Sequence, residues 1–211
     1  MFNVQMLREG FQNRADRNLA ERIMSQSIID HYIKNLSMIL ETLPKMEIVK
    51  IIELLEEARE QSRTVFIFGN GGSASTASHF ANDLSKATIV AGKGRLRVIS
   101  LVDNIALFSA WANDTSYERV FAEQLENFIE PNDLVIAISA SGNSPNVLAG
   151  VEVAKAHGAH TIGLSGFGGG KLSKMVEVAV IVPSHEYGPV EDVHLMLNHM
   201  ITTALKESRE T

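Results

Sequence analysis

The stretch "FIFGNGGSASTASHFANDL", residues 66–84, decides the fold because its pattern changes twice within a few positions. A short apolar run leads into glycines and small hydroxyl residues, and these lead into a sequence with helical periodicity. A buried strand that passes through a glycine-rich turn into a helix is the first unit of a parallel α/β sheet. The turn contains no lysine, the residue that commonly binds phosphate at such a place.

Four more apolar runs follow the first predicted strand, which covers residues 64–68. They lie at residues 96–101, 133–139, 160–165 and 176–182. Nearly continuous apolar strands indicate a parallel sheet that is covered on both faces. We therefore expect an α/β fold, a flavodoxin-like doubly wound five-stranded parallel sheet with strand order 2-1-3-4-5. A last helix is predicted from about residue 189 to 207.

The chain before this sheet is predicted to be helical. Residues from about 12 to 60 carry apolar side chains at three- and four-residue intervals, and Pro44 interrupts them. Two amphipathic helices cannot bury their apolar faces alone. We therefore expect residues 1–60 to pack on the sheet domain, residues 61–211, and on neighbouring subunits.

The composition restricts the classes of function. The chain has 211 residues, of which 45% are hydrophobic and 21% charged, with a formal net charge of −6 and no cysteine. The acidic excess argues against nucleic acid and membrane partners, and the absence of cysteine fits a cytoplasmic protein. Neither a signal peptide nor a membrane span is expected from the apolar pattern.

Two glycine-rich stretches resemble nucleotide-binding motifs without completing them. "GNGGSA" (69–74) matches the dinucleotide fingerprint, but the ribose-binding acid expected about twenty residues later is missing. "GFGGGKLS" (166–173) has Leu172 after Lys171, where a P-loop needs serine or threonine. We interpret the second stretch as a glycine-rich connection.

The stretch "SASGNSP" (139–145) is the better candidate for an anion site. Pro145 and Ser144 are typical of the first helical position and of its N-cap. Capping alone does not explain why Ser139, Ser141 and Asn143 share the turn. In the predicted strand order this turn lies beside the one that ends at Ser73. Backbone N–H groups and hydroxyls together would bind a phosphate monoester without a cation.

Two predicted helices offer a second group of polar residues. His79 and Asp83 are one helical turn apart, a spacing that a solvated ion pair would also explain. The last helix carries a polar stripe of Glu191, His194, Asn198 and His199. Its opposite side is an expected core stripe of Val193, Met196, Leu197 and Met200. Two helices that each present histidine and carboxylate predict a divalent-metal site or an acid–base pair.

Together these residues resemble the SIS (sugar isomerase) domain family and, within it, the phosphoheptose isomerases. The resemblance rests on "GNGGSASTASHFANDL", "ANDTSYERVFAEQL", "ISASGNSPNV", "GLSGFGGGKL" and "VHLMLNHMI". It implies interconversion of sedoheptulose 7-phosphate and D-glycero-D-manno-heptose 7-phosphate through an enediol. It also implies a homotetramer with sites shared between subunits.

The resemblance also implies roles for individual residues. Asp83 and His199 would be catalytic, and Zn²⁺ would bind His79, Asp83, Glu191 and His199. The residues implied to bind the phosphosugar are Asn70, Gly71, Ser73, Asp103, Asn104, Ser139, Ser141, Ser144 and Glu191.

Four positions depart from the family pattern. Asp83 stands where glutamate is usual, Glu191 where glutamine is, Ala140 where threonine is and Ala87 where arginine is. The shorter carboxylate of Asp83 keeps two alternatives open. One is a non-catalytic SIS module that binds a phosphosugar to regulate a partner, such as a replication initiator. The other is an isomerase of a different phosphosugar.

Overall fold

The computed structural model describes residues 14–207, with side chains from residue 18 onward. Its contacts divide the chain into two compact units, Met1–Glu41 and Thr42–Thr211. Among the described residues, the first unit holds one helix, α1 (Arg14–Glu41). This helix exposes large apolar side chains, namely Leu19, Ile23, Met24, Ile28, Ile29, Ile33 and Met38.

The second unit is built on a five-stranded parallel sheet. Its strands are β1 (Thr64–Gly69), β2 (Arg97–Ser100), β3 (Leu134–Ile138), β4 (His160–Ser165) and β5 (Val178–Ile181). Their order is β2-β1-β3-β4-β5, and every neighbouring pair is parallel. The five strands and their order were predicted from the apolar runs, and the structure confirms both.

Helices cover both faces of this sheet. They are α2 (Lys45–Glu60), α3 (Gly72–Lys86), α4 (Ile105–Asp114), α5 (Val120–Glu126), α6 (Pro145–Ala156), α7 (Leu172–Met175) and α8 (Tyr187–Glu207). A 3₁₀ turn (Tyr117–Arg119) precedes α5. The predicted break at Pro44 is confirmed, since Pro44 is the N-cap of α2.

The helix α2 belongs to the sheet unit rather than to the leading helix. It contacts β5 and α8, and its apolar face is buried through residues that include Ile51 and Leu55. Burial of such a side chain stabilises a fold by roughly 1.5–3 kcal/mol. The compact division therefore follows Glu41, whereas the sequence suggested a boundary near residue 60.

An aromatic cluster forms the core on one face of the sheet. Phe66 and Phe68 of β1 are fully buried there with Phe121 of α5, and the rings of Phe68 and Phe121 stack at 4.8 Å. The intervening residue Ile67 points to the opposite face, as alternation along a strand requires. Both faces of β1 are thus apolar, which explains its continuous hydrophobic sequence.

The last helix is buried over a wider arc than its sequence suggested. Val193 and Leu197 are buried as predicted, but Met200 is 39% exposed, while His194 and Asn198 are 0% exposed. The expected division into a core stripe and a polar stripe was therefore wrong for Met200, His194 and Asn198. The reason is that α8 contacts α2, α3 and β4, so more than one side of the helix lies against protein.

Within the described part of the chain, no helix combines the length and the apolar character that a membrane crossing needs.

Candidate active site

Two loops meet at the carboxyl ends of β1 and β3. The two strands end in register, with Gly69 opposite Ile138. A Cβ placed on Gly69 would lie 2.7 Å from the Ile138 carbonyl oxygen and 2.8 Å from the Ser73 Cβ. Ser73 therefore borders the start of the loop that follows β3. This is the switch point at which open parallel sheets bind their ligands.

The serine turn, residues 139–144, follows β3 and ends where α6 begins. The hydroxyls of Ser139 and Ser144 lie 3.1 Å apart, and the Ser141 hydroxyl accepts a hydrogen bond from the Asn143 N–H at 3.2 Å. Ser144 is the N-cap of α6, as predicted, but its side chain makes no capping hydrogen bond. Its hydroxyl thus faces Ser139 instead of its own helix, an arrangement that suits a shared anion.

A pair of amides joins the two loops. Asn70 and Asn146 exchange two hydrogen bonds of 2.8 Å through their side chains, and Asn146 is 1% exposed. The Tyr117 hydroxyl donates a third hydrogen bond of 2.8 Å to Asn70 Oδ1. The resemblance implied that Asn70 binds the phosphosugar; in the structure its side-chain amide bonds Asn146 and Tyr117 and so links the two loops.

A cleft of about 290 Å³ opens beside this pair. Its lining includes Asn70, Gly71, Val102, Phe108 and Tyr117. Its size lies near the lower end of the range for small-molecule sites, about 300–1,000 Å³.

Histidines and a carboxylate converge where α3 packs on α8. Asp83 Oδ2 lies 3.3 Å from His79 Nε2 and 3.8 Å from His199 Nε2. One ligand atom from each of these residues lies within 4.8 Å of the others. Two imidazole nitrogens and a carboxylate oxygen are the donors that Zn²⁺ takes in catalytic sites with three protein ligands, so the residues fit this metal.

The Asp83 carboxylate is oriented by a residue to which the sequence had given no role. Asn198 Nδ2 donates to Asp83 Oδ2 at 2.9 Å, and the Thr202 hydroxyl donates to Asn198 Oδ1 at 3.2 Å. Both α8 residues are buried. Their four-residue spacing was readable in the sequence, but their direction towards Asp83 depends on how α8 packs.

The remaining predicted site residues lie apart from this cluster. Glu191 is not among the three grouped residues; a Cβ on Gly72 would lie 2.5 Å from Glu191 Oε2. Its carboxylate thus lies at the beginning of α3. Asn104 caps α4 by accepting a hydrogen bond from the Leu107 N–H, and Asp103 is exposed next to it.

One buried histidine lies outside the group. Burial lowers the pKa of His194 from 6.5 to about 4, and an interaction with the Ser165 backbone opposes the shift. That interaction is weak, because neither ring nitrogen makes a hydrogen bond of ordinary geometry within the described structure. His194 is therefore neutral at physiological pH.

Comparisons with known proteins identify the family of this chain. Residues 31–166 match the family model described as SIS domain. A phosphoheptose isomerase of Helicobacter pylori (strain Shi470) is 40% identical over 155 residues, which are 74% of this chain and 80% of the relative.

Solved structures give the same result. A phosphoheptose isomerase from Neisseria gonorrhoeae superposes with a TM-score of 0.78 and 27% identity, covering 89% of this chain and 98% of that one. A phosphoheptose isomerase from Francisella tularensis superposes with a TM-score of 0.80 and 25% identity, covering 87% of this chain and 98% of that one.

Proposed function

Because the chain belongs to the SIS domain family and to its phosphoheptose isomerases, we propose that it interconverts sedoheptulose 7-phosphate and D-glycero-D-manno-heptose 7-phosphate. The observation that carries the proposal is the arrangement of polar groups along α3. This helix begins beside the serine turn with Ser73 and continues to His79 and Asp83.

The spacing along α3 suits a long phosphorylated substrate. Ser73 and Asp83 are ten residues apart, which is about 15 Å along a helix, and His79 lies about 9 Å from Ser73. An extended seven-carbon sugar phosphate is closer in length to the Ser73–His79 separation than to the Ser73–Asp83 separation. Helical side chains tilt towards the N-terminus of their helix, which brings the Asp83 carboxylate nearer to such a substrate. We place the phosphate at Ser73, Ser139, Ser141 and Ser144, and the reacting carbons at Asp83 and His199.

The reaction moves hydrogen between neighbouring carbons. Starting from the ketose, Asp83 removes a proton from C1 while His199 gives a proton to the oxygen on C2, which produces an enediol. A proton then returns to C2 and the C1 oxygen loses its proton, so that the aldehyde forms at C1. Each positioned proton transfer contributes roughly 10²- to 10⁴-fold in rate.

Contacts support Asp83 as the base despite its short side chain. Its carboxylate is held by Asn198 from the opposite helix, so its position does not depend on its own length alone. For the sugar hydroxyls we propose Asp103, Gly71 and Glu191. Asn104 remains a predicted contact, although its side chain caps α4.

We further propose a Zn²⁺ site at His79, Asp83 and His199, as an alternative to proton transfer by His199, because a metal-bound imidazole nitrogen has no proton to donate. The predicted fourth ligand, Glu191, lies apart from these residues, with its carboxylate at the beginning of α3. When bound, the metal would stabilise negative charge on the enediolate oxygens. Direct titration with Zn²⁺, followed by calorimetry, tests this part without any activity measurement.

We also propose a homotetramer, as the family resemblance implies. The seven large apolar side chains exposed on α1 support association between copies of this chain, because large exposed apolar patches mark interaction sites. Light scattering measures the oligomeric state. A cytoplasmic location is also proposed, because the substrate is a charged metabolite that does not cross membranes unaided.

The decisive experiment follows sedoheptulose 7-phosphate by NMR with the purified protein, with and without added Zn²⁺. We expect the aldoheptose signals to grow to equilibrium and Asp83→Asn to abolish the growth. Binding of the heptose phosphate without conversion would instead favour the non-catalytic SIS module. Conversion of another phosphosugar in the same assay, without conversion of sedoheptulose 7-phosphate, would favour an isomerase of a different phosphosugar.

A further inference from the structure

We propose that residues 166–172, here called the glycine brace, together with Asn143, position the serine turn for an anion by engaging its carbonyl oxygens. The proposal rests on the proposed function only in taking that anion to be the phosphate of a sugar. It gives a role to the stretch "GFGGG", which follows β4 and lacks the features of a P-loop.

Each of the first four carbonyl oxygens of the serine turn accepts a hydrogen bond from protein. The acceptor and donor pairs are Ser139 O with Gly142 N–H at 2.9 Å, Ala140 O with Gly166 N–H at 2.8 Å, Ser141 O with Asn143 Nδ2 at 2.9 Å, and Gly142 O with Leu172 N–H at 2.9 Å. Two of these donors, Gly166 and Leu172, belong to the brace.

The direction of these carbonyls matters because the proposed phosphate site has no cation from the turn itself. A carbonyl oxygen that pointed into the site would place the negative end of its dipole against the phosphate. Carbonyls that are bonded elsewhere leave hydroxyls and backbone N–H groups to face the anion. Such groups stabilise charge best when they are fixed before the ligand arrives.

The brace reaches the turn by direct contact between two backbones. Gly170 has φ +56°, and a Cβ there would lie 2.6 Å from both the Ser141 and the Gly142 carbonyl oxygens. Gly142 has φ +64°, and a Cβ there would collide with the Gly169 carbonyl oxygen. Only glycine meets both the backbone conformation and the spacing.

Asn143 completes the brace through its side chain. Its Oδ1 accepts a hydrogen bond from the Lys171 N–H at 3.1 Å, while its Nδ2 donates to Ser141 O at 2.9 Å. Asn143 is exposed, yet both ends of its amide bind the protein. We infer that it is a positioning residue and that it does not itself contact the phosphate.

The test compares Gly170→Ala and Asn143→Ala with two matched controls. Gly158→Ala introduces the same left-handed strain at φ +74°, where a Cβ meets nothing within 4 Å. Asn113→Ala removes an exposed amide that bonds Asp114 at 2.8 Å. The readouts are kcat and KM for sedoheptulose 7-phosphate and the Kd for inorganic phosphate, measured by calorimetry.

We expect both brace variants to raise KM and the phosphate Kd about tenfold, because a displaced serine turn would lose the equivalent of one of its own hydrogen bonds to the charged phosphate. The kcat should stay within about twofold of the wild-type value, because the variants weaken binding of the substrate and of the transition state equally and leave the reacting groups untouched. Both controls should behave as wild type. If Gly170→Ala does not fold, Asn143→Ala and its control decide the result.

If Asn143→Ala binds phosphate with wild-type affinity, or if the matched controls lose as much phosphate affinity as the brace variants, the brace proposal is wrong. A wild-type protein that binds phosphate but converts no sugar would refute the isomerase proposal, and the phosphate affinities would still decide the brace. A wild-type protein that binds no phosphate would overturn both.

Discussion

Acid should destabilise this protein through one buried imidazole, that of His194. Its side chain is 0% exposed, and burial lowers its pKa from 6.5 to about 4. In the unfolded chain the same group returns to its ordinary pKa and binds a proton more readily. Between these two pKa values the unfolded state therefore holds more protons than the folded state, and lowering the pH favours unfolding.

The magnitude follows from the two pKa values. Above about pH 6.5, His194 is neutral in both states and the free energy of unfolding is at its full value. This free energy falls as the pH is lowered towards about 4, and below that pH His194 changes it no further. At about pH 5 the lost free energy of unfolding is about 2 kcal/mol, and the limit at lower pH is about 3 kcal/mol. For a typical domain stability of about 5–15 kcal/mol this loss is substantial.

The assay is urea unfolding of the wild type and of His194→Gln at about pH 7.5 and about pH 5, at one protein concentration. The amide does not titrate, so the variant should lose about 2 kcal/mol less than the wild type over this interval. The control is His185→Gln, which makes the same exchange at an exposed histidine outside α1. This variant should follow the wild type.

Equal losses in the wild type and in His194→Gln would refute the reasoning, since carboxylates elsewhere would then account for the whole pH dependence. If the glutamine variant is too unstable to measure at the lower pH, His194→Leu provides a second non-titrating side chain of similar size. The comparison uses differences between pH values, so the intrinsic cost of either substitution cancels.

Further predictions concern the acid–base group and the amide pair. Asp83→Asn should lower kcat by about 10²- to 10⁴-fold, with an unchanged melting temperature as evidence of folding; a smaller loss would remove Asp83 as the base. Asn198→Ala leaves the carboxylate without its 2.9 Å donor and should lower kcat about tenfold at similar KM, as measured by initial rates. Asn146→Ala should cost about 1–3 kcal/mol in urea unfolding, because it removes the buried partner of Asn70. Tyr117→Phe should cost less than about 1 kcal/mol, since the reciprocal amide bonds remain.

The layout of the fold was predictable because each strand carries its own local signal. The apolar run of β1 passes into glycines at one end, and its continuous hydrophobicity indicates burial on both faces. Parallel strands with helical connections then allow few topologies. The adjacency of the turns at Ser73 and Ser144 followed from strand order alone, and the register of Gly69 with Ile138 confirms it.

Features that depend on side-chain packing were not predictable. Asn143 reads as one more polar group near an anion site, but its amide faces the glycine brace. His194 reads as part of a polar stripe, but α8 is buried on that side as well. In both cases the sequence gives the residue type, whereas the direction of the side chain is set by packing against a segment distant in sequence.

Hydrogen-bond partners explain how an aspartate can take the place of a glutamate in this site. A side chain shorter by one methylene cannot reach the same point from the same backbone, so either the backbone or the partners must differ. The structure shows the partners: Asn198 donates to the Asp83 carboxylate, and Thr202 in turn donates to Asn198. This chain of hydrogen bonds fixes the carboxylate from α8, the helix that also carries His199. The proposed base is therefore held by the helix that carries its acid partner, so the alignment of the two groups depends on how α8 packs on α3.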